Sequence, residues 1–171
     1  MRNRNRLCCG IVVVLFVLSL TASVRGQTNT AKIKGENMSE MKFVPLPGMP
    51  TCSKGSVQSG DPTKGPSIIL AKGAAGCRFP WHWHTANEHL MMVTGEGRLE
   101  MKDGKPLTLK AGGFAMMPSR HVHQFRCTAA CTLYVYSDTA FDIHYVDAEG
   151  KEISPEVALK AVKETAAKDM P

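Results

Sequence analysis

The chain has 171 residues, 43% of them apolar and 21% charged, with a formal charge of +6. Arg2, Arg4, Arg6 and Arg25 all precede residue 27 and no acid does, so without them the excess of 21 bases over 15 acids falls to about +2. No basic stripe remains, which argues against nucleic acid as a partner, and the rest of the chain is long enough for one domain with a real core.

The first residues, MRNRNR, are followed by an apolar run from Ile11 to Leu18, then Ser19 and Leu20. Val24 and Gly26 fit the −3 and −1 positions of a signal-peptidase site. This is the layout of a secretory signal over 1–26, cleaved after Gly26. The apolar core is short for a transmembrane helix. Cys8 and Cys9 precede that core, which argues against a lipoprotein anchor. The mature protein is therefore expected to be secreted or periplasmic, starting at Gln27, with no membrane attachment.

Residues 27–58 read as a lead-in. The stretch from Gln27 to Glu40 is polar and aperiodic, and PLPGMP at 45–50 is loop chemistry. A barrel domain is expected over 59–147. It opens with the turn-rich SGDPTKGP and continues with short strand-like runs: SIILAK, CRFPWHWH, EHLMMVT, GRLEMK, PLTLK, FAMMP, HVHQF, TLYVYS and FDIHYV. Glycine-containing turns separate many of them. This pattern predicts an all-β sandwich or barrel. The tail, 148–171, holds a helix-like stretch with Ser154 as cap and Pro155 at its first position. Val157, Ala161 and Val162 form its apolar stripe.

Four cysteines follow the signal. In an oxidising compartment disulfides persist. Cys127 and Cys131 bracket TAA between two strand runs, and a bridge across a hairpin is expected there; Cys52 and Cys77 carry no pairing from sequence.

Half of the six histidines fall in FPWHWHTANEHLM, 79–91. On a strand, alternate side chains share a face. His82 and His84 then point one way. Trp81 and Trp83 point the other, to pack the outer face or a homodimer contact. TAN is short enough to reverse the chain and bring Glu88 beside His84, with Leu90 and Met92 on the same face. Two imidazoles and a carboxylate converging on one point suit a divalent transition metal with open positions for chemistry. A fourth ligand is expected from His121 or His123, which share a face. His89 has the opposite parity and His144 reads as structural. Met91, Met92, Met101, Met116 and Met117 read mostly as core, with Met92 in a soft copper site as the alternative.

Gly76, His82-Trp83-His84, Glu88 and Gly95 stand at the spacing of the first signature of the cupin superfamily, which the chain resembles over roughly 67–137. Gly112, Pro118 and His123 resemble the second signature, with Arg120 where glycine is usual and Cys127 where asparagine is usual. The resemblance implies a single-domain antiparallel β-barrel or jelly roll. It also implies a metal held by His82, His84, Glu88 and His123, the ion being Mn, Fe, Ni, Zn or Cu. The flanks resemble those of small secreted bacterial cupins. Because that fold hosts many chemistries, two functions are expected. One is a metal-dependent enzyme of oxygenase or isomerase type on a small oxygenated molecule. The other is a non-catalytic metal-dependent protein that binds or senses a small ligand.

Overall fold

The structure, a computed structural model, describes residues 33–168. The signal-like segment 1–26, with Cys8 and Cys9, and the first residues of the lead-in lie outside the described residues. The described elements are β1 (Ser53–Gly60), β2 (Ser67–Gly73), β3 (Arg78–Trp83), β4 (Glu88–Thr94), β5 (Glu96–Met101), β6 (Leu107–Lys110), β7 (Phe114–Met117), β8 (His123–Cys127), β9 (Cys131–Ser137), β10 (His144–Tyr145) and α1 (Pro155–Lys168). The expected all-β fold with a C-terminal helix is what forms.

The strands make two five-stranded sheets, ordered β1-β2-β9-β4-β7 and β10-β3-β8-β5-β6, and every pairing is antiparallel. Inward residues of both sheets share one core, with Leu90, Met92 and Leu133 from the first and Leu99, Phe125 and Cys127 from the second. Strand β4 alternates cleanly, burying Glu88, Leu90 and Met92.

Several readings are corrected by this topology. Edge strand β1 takes in residues 53–58 of the expected lead-in together with 59–60, because Val57 and its neighbours pair along β2. Strands β3 and β4 are not a hairpin; they lie in opposite sheets, and so do β8 and β9. The four residues linking β3 to β4 and the three linking β8 to β9, at ~3.3 Å each, span the ~10 Å between stacked sheets as readily as they reverse a chain. Cys127 and Cys131 are bonded as expected, but their bridge ties one sheet to the other rather than closing a hairpin. A second disulfide joins Cys52, just before β1, to Cys77, just before β3.

Trp83 is only 9% exposed and packs within the chain. On the outer face His144 stacks on its ring at 3.9 Å, and the Arg120 guanidinium lies 4.7 Å from the ring centre. Met116 is exposed rather than core, while Met92 and Met117 are buried. Helix α1 starts as read: Ser154 Oγ accepts from the Val157 N–H at 3.4 Å, and its carbonyl accepts from the Ala158 N–H. The helix packs on β3 and β10. Ala158 is its buried residue, whereas Val157 and Ala161 are exposed, so the expected stripe is rotated.

Candidate metal centre

Four ionisable side chains meet in the interior. His82 is the last residue but one of β3, His84 stands just past it, His123 opens β8 and Glu88 opens β4. The carboxylate therefore faces the imidazoles from the opposite sheet. Ligand atoms of His82, His84 and His123 lie within 4.8 Å of one another. Glu88 Oε1 is 3.5 Å from His84 Nε2, and Oε2 is 3.2 Å from His123 Nε2. All four residues are buried.

A β-bulge makes the histidine geometry. The pairs Phe79↔Phe125 and His82↔His123 leave one extra residue on β3, where Pro80 sits without an N–H to lose. Both Phe79 and His82 then face inward, which strict alternation forbids. The bulge also frees the Pro80 carbonyl, which lies 2.5 Å from His82 Nδ1. His123 Nδ1 meets the His121 carbonyl at 2.8 Å, and His84 Nδ1 meets that of Asp142. A carbonyl only accepts, so each Nδ1 carries the hydrogen and donates it. That leaves each Nε2 as the ring nitrogen able to take a proton or a metal ion.

The Nε2 atoms of His84 and His123 are buried without a hydrogen-bond partner. They face a carboxylate. Burial works to raise the Glu88 carboxyl, but His84, His123 and His82 outweigh it and hold the group at about 2. Burial, with the charges of His123 and His84 beside it, pushes His82 well below the usual histidine range. An ionised carboxylate buried against three imidazoles calls for positive charge among them, and a metal ion held by ring nitrogens and Glu88 would supply it. Three imidazole nitrogens and one carboxylate oxygen are the donor chemistry of a divalent transition metal, and the residues fit one.

The crossing from β3 to β4 is clamped at His84, Thr85 and Asn87. The Thr85 N–H donates to Asp142 Oδ1 at 2.7 Å, and the Asn87 N–H to Asp138 Oδ1 at 2.9 Å. Ser119 donates its N–H to Asn87 Oδ1 and its hydroxyl to the Thr85 carbonyl, and the Arg120 N–H donates to the His84 carbonyl at 2.8 Å. Arg120 has φ 60, alone among the described non-glycine residues at positive φ. That is why glycine would be usual there. The motif glycines Gly76, Gly95 and Gly112 have φ 79, 79 and 82 and make their turns the same way.

The other histidines stand apart from the centre. His121 contributes its carbonyl to His123. His89 lies on the outer face between Phe114 and Tyr136. His144 reaches Asp142 Oδ2 at 3.2 Å and Glu152 Oε2 at 3.4 Å. Asp142, Asp138 and Phe141, whose ring lies 4.7 Å from that of His84, were not singled out from sequence. Each is over fifty residues from what it touches, and only the run FDIHYV hinted that this segment folds back.

Beside the cluster is a cavity of about 70 Å³, room for about five waters at ~10–15 Å³ each. Leu90, Phe125, Leu133, Val135 and Phe141 are among its walls, and beyond the cluster only Ser53 and Lys54 line it with polar side chains. Met92 does not line it, so the copper alternative loses its sulfur.

Residues 70–136 match the family model described as the cupin domain. This part of the chain is a cupin domain. No curated protein matches it. Among solved structures, an acetylacetone dioxygenase from Acinetobacter johnsonii is 18% identical, with 82% of this chain and 97% of that one covered and a TM-score of 0.56. The polyketide cyclase RemF from Streptomyces resistomycificus is 14% identical, covering 68% and 87%, with a TM-score of 0.59. An RmlC-like cupin from Shewanella frigidimarina is 16% identical, covering 64% and 92%, at 0.53. At these identities the cupin fold is what is shared.

Proposed function

We propose that this cupin is exported, holds one divalent transition metal through His82, His84, His123 and Glu88, and acts as a metalloenzyme on a small oxygenated molecule. The observation that carries the metal is the locked tautomer: three Nδ1–H groups spent on backbone carbonyls, with unpartnered buried Nε2 atoms turned toward Glu88. When bound, the ion supplies Lewis acidity or the activation of O₂. The chain's own residues fix the donors, and the apolar walls exclude water. A small cavity beside the cluster sets the scale of the substrate. Fold neighbours named as an acetylacetone dioxygenase and a polyketide cyclase fit an oxygenated carbon compound.

Export is supported by the signal-like layout of 1–26 and by two disulfides, which persist outside reducing compartments. Among the described residues no helix is long and apolar enough to cross a membrane.

A second reading has its own support. Beyond the cluster the described residues give the cavity no buried acid or base: Ser53 Oγ donates to the Pro50 carbonyl at 2.8 Å, and Lys54, though on the lining, is exposed. A non-catalytic metal-dependent binding or sensing protein needs neither. Elemental analysis of protein purified from its native compartment, beside a His82→Ala/His84→Ala variant, tests the site. One equivalent of metal in the first and none in the second is expected; full occupancy in the double variant sinks it. Turnover of β-diketones, catechols or sugars by the loaded protein favours the enzyme, and binding without turnover favours the sensor.

A further inference from the structure

We propose that the segment 44–50 is the specificity element of this pocket, and that Leu46 limits it to short, apolar-bodied chelating molecules. The inference rests on the metal reading above and deepens it.

The segment lies outside residues 70–136, the part matched by the family model. It nonetheless supplies Leu46 and Met49 to the cavity, which Phe141 and Ile143 also line. Its position is fixed at several points. Val44 and Gly55 exchange backbone hydrogen bonds of 2.9 and 2.8 Å. The hydroxyl of buried Tyr145 donates to the Gly48 carbonyl at 2.9 Å, and Tyr145 pairs with His82 across β10 and β3. Gly48 has φ 72. The Cys52–Cys77 disulfide follows directly and ties the segment to the strand that carries His82. The metal cluster and this wall therefore share supports.

Gly55 makes the room. A Cβ built there would stand 2.7 Å from Leu46 Cδ1 and 3.0 Å from Ile69 Cγ2. Only a bare backbone on β1 lets Leu46 lie over the sheet and reach the cavity. The result is a small pocket whose walls beyond the metal donors are hydrocarbon apart from Ser53 and the exposed Lys54. Ser53, the one hydroxyl on the wall, is given to Pro50. A polyhydroxy compound would bury hydroxyls without partners, each at a cost of about 1–3 kcal/mol. A molecule with one pair of chelating oxygens and a small apolar body loses nothing.

The test uses the full mature protein loaded with Co²⁺, whose visible spectrum reports a new ligand. Acetohydroxamate, octanohydroxamate and gluconate serve as probes. The wild type should bind acetohydroxamate at least ~tenfold more tightly than either of the others, the worth of one or two buried methylenes. Leu46→Ala should raise octanohydroxamate affinity by at least ~tenfold relative to acetohydroxamate, with one Co²⁺ still bound per chain. Leu46→Phe should sharpen the length limit, and Leu46→Met, which keeps the volume, should preserve it. Identical length profiles in the Ala, Phe and wild-type proteins, or gluconate bound as well as acetohydroxamate, would overturn the proposal while leaving the metal site intact. Failure to take up one Co²⁺ per chain would instead overturn the metal reading, and this inference with it.

Discussion

Arg120 holds a left-handed backbone next to the centre, and replacing it separates strain from contact. At φ 60 a side chain costs about 1–2 kcal/mol relative to glycine. The guanidinium over Trp83 returns about 0.5–1 kcal/mol. Arg120→Ala keeps the strain and loses the contact, so it should destabilise by about 0.5–1 kcal/mol. Arg120→Gly removes both, but frees the unfolded chain at a cost of about 0.4–1 kcal/mol, and these nearly cancel. Arg120→Val adds a β-branched side chain at positive φ and should be worst. Urea unfolding at constant m gives the order. Wild type and glycine should be close, alanine lower and valine lowest. Equal stability of the alanine, valine and glycine variants would refute the strain. A loss beyond ~2 kcal/mol in Arg120→Gly would show that the Arg120–Trp83 contact, not the backbone, matters.

Three more outcomes follow from the structure. Peptide mapping without reductant should recover Cys52–Cys77 and Cys127–Cys131. Replacing the first pair by serine should cost more than the second, about 3.5 against about 2 kcal/mol, because its sequence separation is 25 rather than 4; equal losses would contradict the loop argument. Asp142→Ala frees the Thr85 N–H and His144 and loosens the carbonyl that orients His84, so metal affinity by chelator competition should fall ~10-fold; wild-type affinity would count against that role. N-terminal sequencing of the exported protein should begin at Gln27, and a start far from it, or retention in the cytoplasm, would remove the signal reading.

The strand runs were legible because each carries a local signature, alternation bounded by glycine turns, and β4 keeps it from Glu88 to Met92. The convergence of His82, His84 and Glu88 was legible from spacing alone. How they converge was not. A short link does not say whether Glu88 returns within a sheet or crosses to the other, and both bring it to His84. The bulge at Pro80 is equally hidden, since alternation from His82 backwards would turn Phe79 outward. β1 escaped because SKGSVQSG is polar and glycine-bearing, and its pairing partner is what makes it a strand. The carbonyls of Asp142 and His121 escaped for a plainer reason: a backbone acceptor leaves no residue type to read.

The central claim is that these imidazoles and Glu88 hold a metal, and X-ray absorption at the edge of the bound metal tests it most directly. The account predicts one equivalent per chain, with the multiple-scattering pattern of three imidazoles, a further light oxygen donor and no sulfur. A sulfur shell, fewer than three imidazoles, or the same spectrum from the His82→Ala/His84→Ala protein would contradict it.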